Sequence, residues 1–344
     1  MQAMNRYSIF LLLAAAAFGL TACGNNDEAE LSGNSALNEI RLSSTLAANN
    51  DAPTRAVNEQ NVGNFVNGQS IDIFMFEDAA SPTTTYSQPI VATTSGASID
   101  IGTEYWPVSG NSISLWGWYP SKSTTGVTMT RTDADLSVAG SFTIDPDQEA
   151  DNATRLNDLM VGLPTANPIT KSSYLTTPIP LSFTHLLSKI VVVLKVGTGT
   201  SKALLAGAKL TIPGIYTQVA VSDWKPASAS GIVSTVTSGD TPPTGTLKIA
   251  EVPAAGDSKW QNDGTDYFTS AAILPPQDLN TNAKKLTITL SDGGVTTYAI
   301  PHDFAAGNIY TYTVTVNRTG LTVSSTITPW PASGDNYHTG SHVF

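Results

Sequence analysis

A single cysteine, Cys23, occurs among 344 residues, so the chain cannot form a disulfide within itself. Charged residues are scarce at 13%, about half the usual share. Cations are the fewer of them, 17 Lys+Arg against 28 Asp+Glu, and the net charge is −11. Polyanions are therefore poor partners, which argues against nucleic-acid binding. Catalytic signatures are missing as well: the sequence holds no G-x-S-x-G elbow, no H-E-x-x-H and no phosphate-binding loop. After Phe18 no apolar run reaches about 18 residues, so no later segment is long enough to span a bilayer as a helix.

The few residues that could carry chemistry read as structural. Of the four histidines, His185 lies inside an apolar strand, where a hydrogen-bonded structural role outweighs that of base or ligand. His338 and His342 have helical spacing, but Gly334 and Gly340 oppose a helix there. The segment Asp145 to Asp151 alternates oxygen-bearing side chains as a calcium loop does. It lacks the glycine at the sixth position and the glutamate at the twelfth, and reads as a solvated loop. No enzyme activity, cofactor or metal is expected. Among Trp106, Trp116, Trp118, Trp224, Trp260 and Trp330, placement within an alternating strand assigns Trp116 to the core. Trp224 and Trp260 flank loops, and a sugar-stacking platform on them would define an alternative, a surface glycan-binding lipoprotein with tandem β-sandwich domains.

What is present begins with Arg6, an apolar run from Ile9 to Phe18 and then Leu20-Thr21-Ala22-Cys23. This pattern predicts a secretory signal peptide over residues 1–22. Leu20 to Cys23 resembles the lipobox of bacterial lipoproteins, which implies lipidation of the Cys23 thiol; two acyl chains suffice for stable anchoring. The acidic stretch Gly24 to Glu30 reads equally as a solvated tether or as the export signal of Bacteroidetes surface lipoproteins, which it resembles.

Beyond the leader, abundant Thr, Ser, Val and Ile with 27 Gly and 20 Pro favour many short strands joined by turns. The remaining length suggests two domains. Ile40, Leu42 and Leu46 share one parity and predict a half-buried strand, followed by an exposed loop from Ala47 to Ala56. Strands are also predicted at Ile71 to Met75, Ile113 to Tyr119 and Tyr310 to Val316. Leu286 to Ile300 reads as a hairpin turning at Ser291 to Gly294. Between Ile179 and Val196 the apolar parity switches near Ser188, which predicts a bulge or a passage between sheets.

Several segments occur in the order found in the fimbrillins of the Bacteroidales, subunits of major and minor fimbriae. Pro53-Thr54-Arg55-Ala56 resembles the family's arginine processing site. Leu115 to Pro120 is similar to its aromatic strand ending in proline, and Asp158-Leu159-Met160-Val161 to its DLMV segment. Phe183-x-His185-x-x-x-Lys189-Ile190 resembles the F-x-H-x-L-x-K-I strand, with Leu187 where alanine is frequent. Ile273 to Gln277 resembles the strand end in PQ, and Phe304 to Tyr312 the F-x-x-G-x-x-Y-x-Y hairpin, which includes Tyr310 and Tyr312 and is closed by Ile327 and Trp330.

The resemblance implies an all-β chain of two transthyretin-like antiparallel β-sandwich domains in tandem. It divides into the signal peptide 1–22, a tether with a removable strand 23–55, an N-terminal sandwich 56–175 and a C-terminal sandwich with its tail, 176–344. It further implies a structural or adhesive subunit of a fimbria at the surface of the outer membrane. An arginine-specific protease would cut after Arg55, or after the rival Arg41, and remove the strand of Ile40, Leu42 and Leu46. A neighbouring subunit's strand would then fill the groove. The implied partners are other fimbrial subunits, the outer membrane through the lipid, the protease and a host or bacterial surface ligand. Pro331 to Phe344 offers only Tyr337, Val343 and Phe344 as bulky apolar residues and makes a poor donor, which leaves a tip or accessory position open.

Overall fold

The computed structural model describes residues 38–46, 65, 67–78, 86, 89–122, 127–132, 137–149, 158–224, 233, 235–236, 241–278 and 284–330. Cys23, Arg55, Ala56, His338, His342 and the segment Pro331 to Phe344 lie outside the described residues. In chain order, the first strands are β1 (Leu42–Leu46), β2 (Ser70–Glu77), β3 (Ile90–Ser95), β4 (Ser98–Asp100), β5 (Ile113–Tyr119), β6 (Val127–Thr132), β7 (Ser137–Thr143), β8 (Met160–Pro164) and β9 (Ile179–His185). There follow β10 (Ser188–Val196), a one-turn helix α1 (Lys202–Leu205), β11 (Lys209–Tyr216), β12 (Gln218–Trp224), β13 (Thr244–Glu251) and β14 (Gln261–Asn262). The last are β15 (Asp266–Leu274), β16 (Lys285–Thr289), β17 (Val295–Ala299), β18 (Asn308–Asn317) and β19 (Gly320–Pro329).

The chain is all-β. Seven strands close a barrel in the order β1-β4-β3-β2-β5-β8-β9. Three open sheets accompany it, β14-β15-β10-β18-β19, β13-β11-β16-β17 and β12-β7-β6. Most neighbours are antiparallel, as the many tight turns lead one to expect. Two pairs depart from the expected antiparallel pattern: β1 runs parallel to β9, and β10 parallel to β18. A turn cannot join parallel neighbours, so both pairs bring together segments far apart in sequence.

Alternation along the strands sorts side chains into two cores. Ile71, Ile73 and Met75 of β2 and Ile113 and Leu115 of β5 fill the barrel. Phe74, Phe76, Trp116 and Trp118, on the opposite face of the same two strands, belong to a larger core shared with β10, β11, β16 and β18. Phe74 and Trp116 are cross-strand partners, and their rings stack 5.6 Å apart at 11°. Asp72 lies buried on this strand. Burial pushes its carboxyl up, opposed by hydrogen bonds from Ser121 Oγ at 2.6 Å and the Lys122 amide at 2.7 Å.

The parity switch near Ser188 is a passage between sheets. β9 is a barrel wall, Leu186 and Leu187 are buried, and the chain resumes as β10 in the centre of the five-stranded sheet. The β16–β17 hairpin turns where predicted, with Gly293 at φ +87°.

Gln277, in the segment that resembles the strand end in PQ, is fully buried and ties three stretches together. Its side chain accepts from the Tyr216 amide at 3.0 Å and donates to the Pro275 carbonyl at 3.1 Å, while its backbone exchanges hydrogen bonds with Phe304. Lys284 nearby donates to the Gly214 carbonyl and lies 5.2 Å from the centre of the Tyr216 ring. Burial holds its ammonium below the ordinary value of 10.5. As pH rises from that depressed value towards 10.5, the unfolded chain still binds a proton the fold has shed. Wild type should therefore gain stability relative to Lys284→Met over that window, while the difference between them stays constant at lower pH. Paired thermal unfolding curves across alkaline pH measure this.

Candidate functional site

β1 occupies a slot in the barrel wall between β4 and β9. Its parallel register runs from Leu42 opposite Ile179 to Leu46 opposite Phe183. On the other side Leu42 faces Ile99 and Ser43 faces Ser98. Backbone bonds extend the seating at both ends. The Ile40 amide donates to Glu104 at 2.8 Å, the Ile179 amide to Arg41 at 2.8 Å, and the Ser44 amide to Ala97 at 2.7 Å.

The inward residues are Ile40, Leu42 and Ser44, exposed by only 2%, 3% and 2%. Burial of the two aliphatic side chains contributes about 1.5–3 kcal/mol each. Leu46 is part of β1, but its side chain lies outside the described residues. Arg41 faces solvent, and its Nη2 reaches the Leu175 carbonyl at 3.4 Å. Since its backbone carbonyl is held by Ile179, a protease could engage Arg41 only by lifting the chain off β9.

In the barrel core that Ile40 and Leu42 enter, Phe183 of β9 lies over two glycines paired across β5 and β8, Gly117 and Gly162. A Cβ on Gly162 would stand 2.5 Å from Phe183 Cζ, and one on Gly117 3.0 Å from it. Neither glycine has a positive φ, so the requirement is for space and not for backbone freedom. Phe65 meets the Phe183 ring edge-on at 4.9 Å and 89° in the same core.

The remaining residues singled out in the sequence separate into two groups. His185, Lys189 and Trp330 are buried together where the chain leaves the barrel. The His185 and Trp330 rings stack 3.8 Å apart at 9°, and Lys189 Nζ lies 5.8 Å from the Trp330 ring. His185 Nδ1 is 2.9 and 3.1 Å from the two carboxylate oxygens of buried Asp158. A carboxylate only accepts, so Nδ1 carries the proton and donates. Tyr310 and Tyr312 lie in the larger core instead. Tyr310 accepts from the Ala305 amide at 2.7 Å and packs edge-on against Phe304. The Tyr312 hydroxyl finds no hydrogen-bond partner among the described residues, and burial pushes its phenol up.

Asp158 and Ser44 escape sequence reasoning about the site. Asp158 sits 27 residues before the histidine it orients, and spacing carries no sign of the pairing. Ser44 does leave a trace, since it interrupts the apolar series Ile40, Leu42, Leu46 at an inward position.

Other candidates resolve plainly. Trp260 is buried, with Nε1 donating to the Pro253 carbonyl at 3.2 Å, so it presents no face for stacking a sugar. The side chain of Trp224 lies outside the described residues. In the Asp145 to Glu149 stretch, Asp147 pairs with Lys248 at 3.0 Å and the Gln148 side chain bonds the Ile273 backbone. Among the described residues no group of three or more His, Cys, Asp or Glu is placed to hold a metal.

This architecture recurs in crystal structures from three Bacteroides species. A candidate cell adhesion protein from Bacteroides uniformis superposes with a TM-score of 0.56 at 20% identity, covering 85% of this chain and 99% of its own. A second, from Bacteroides ovatus, gives 0.58 at 18% identity, with coverage of 86% and 99%. A fimbrial protein from Bacteroides vulgatus gives 0.51 at 17%, with 86% and 100%. The fold thus places the chain in a class of all-β proteins with this architecture. No curated protein matches the sequence. The model of the family described as fimbrillin-like matches residues 54–330, and the chain belongs to that family. It is a structural protein and not an enzyme.

Proposed function

We propose that the chain is a structural or adhesive subunit of a cell-surface fimbria, exported as a lipoprotein through Cys23, matured by cleavage after Arg55 and assembled by donor-strand exchange. The observation that carries this reading is β1. It is a wall of a closed barrel, yet Arg55 falls between it and Phe65 in the sequence. Once that link is cut, non-covalent contacts alone would hold β1 in place: backbone hydrogen bonds, the inward side chains, and the outward Arg41 and Thr45 reaching Leu175, Leu181 and Ser182. Its departure would leave two unpaired strand edges, β4 and β9, and open the apolar barrel core that Ile40 and Leu42 enter, a site suited to an extended strand from another subunit. In this reading the Cys23 lipid holds the precursor at the outer membrane until cleavage releases it. Two hydrophobic cores, one inside the barrel and one shared by the open sheets, support the reading of two transthyretin-like domains.

Treatment of the purified precursor with an arginine-specific protease should yield a new N-terminus at Ala56 and, with time, oligomers on size-exclusion chromatography. Arg55→Ala should abolish both. A precursor that resists cleavage at Arg55, or a cleaved product that keeps β1 and stays monomeric, would overturn the proposal.

A further inference from the structure

The β1 slot has one inward position unlike the others. Ile40 and Leu42 bring bulky aliphatic side chains into the barrel, whereas Ser44, equally enclosed, brings a hydroxymethyl group. The difference follows from what lies above. β4 begins at Ser98, and before it the wall is the β3–β4 turn, whose Ala97 carbonyl accepts from the Ser44 amide at 2.7 Å and from its Oγ at 3.4 Å. That turn is pinned. Gly96 holds φ +60°, and its amide donates to Asn67 Oδ1 at 2.7 Å. A longer side chain at this position would meet a tethered turn on one side and a filled barrel on the other. Enclosed sites resist added volume in this way.

We infer that the Ser44 position is a size gate that selects the strand the slot accepts. The inference rests on the donor-strand reading and names its partner. The occupant is an extended segment of another subunit, running parallel to β9, with two bulky aliphatic residues two positions apart and a residue no larger than serine two positions later. The gate also fixes register. A strand displaced by two residues would thrust a bulky side chain under the turn, and one displaced by a single residue would turn its apolar face to solvent. Outward positions are under no such restriction, since Arg41 and Thr45 are exposed.

The test uses the full chain carrying Ile40→Ala and Leu42→Ala, cut after Arg55 so that its own weakened strand can be displaced. Fluorescent peptides of the Asn38 to Leu46 sequence are then titrated against it. The native peptide and its Ser44→Ala and Ser43→Leu forms should bind within about threefold of one another, while Ser44→Leu should bind at least about tenfold more weakly, as overpacking an enclosed site predicts. A Ser44→Leu peptide that binds as well as the native one overturns the gate and leaves the donor-strand reading standing. If the native peptide fails to bind protein that circular dichroism shows to be folded, the donor-strand reading falls and the gate with it. In the uncut chain, Ser44→Leu should lower Tm well below that of Ser43→Leu, and equal values would also overturn the gate.

Discussion

Phe183→Ala is expected to cost about 3–5 kcal/mol of folding stability, as removal of a buried aromatic ring generally does, and Gly162→Ala about 1–3 kcal/mol, as overpacking does. The two losses should not add. The three atoms nearest a Cβ on Gly162 all belong to the Phe183 ring, at 2.5, 2.7 and 2.7 Å. With the ring gone these three contacts vanish, and the new methyl group partly fills the space left behind. In the Phe183→Ala background, Gly162→Ala should therefore be neutral to within about 0.5 kcal/mol, giving a coupling of at least about 0.5 kcal/mol between the sites. Denaturant unfolding of the four proteins measures the cycle. Strict additivity would mean that the glycine is needed for some reason other than the ring above it.

Replacing Ile40 and Leu42 together by alanine should loosen β1 without unfolding the barrel. Each truncation of a buried aliphatic residue costs about 2–5 kcal/mol. The pair thus removes at least about 4 kcal/mol, roughly a thousandfold in the opening equilibrium at about 1.4 kcal/mol per factor of ten. Hydrogen exchange in the uncut protein reports this directly at the Ser44 and Ile179 amides, which donate to Ala97 and Arg41 across the two seams of the slot. Their protection should fall about a thousandfold. Amides in the centre of β10 should keep theirs, because that strand lies between β15 and β18 in another sheet. The same pair of substitutions should hasten loss of the strand once Arg55 is cut.

These two predictions depend unequally on what the sequence discloses. Alternation located β2, β5 and β18, the Gly-rich turn located the β16–β17 hairpin, and the reversal of parity near Ser188 located the crossing between sheets. Parity says which face of a strand is buried, but it does not name the neighbour. Hence the strand around Leu42 was legible, while its parallel partner β9, more than a hundred residues on, was not. Closure of the barrel was hidden for the same reason. Within the site, the bulky residues Ile40 and Leu42 announce themselves, but Gly117 and Gly162 matter through a ring that only the folded chain brings to them. Asp158 is legible as part of a familiar segment and not as the partner of His185. Trp260 shows the converse, a residue beside a loop that folding turns inward.

If the chain is a filament subunit as proposed, the two-faced pair β2 and β5 bears on how it would carry tension. One face of these strands lines the barrel and the other lines the larger core, with Trp116 and Trp118 on the second. A pulling force that peels them from one core strips the other as well, so the two cannot yield in sequence at low load. β1 is anchored in the barrel alone. In the donor-strand reading proposed above, strain would fall on a stiff shared wall while β1 is the stave that detaches.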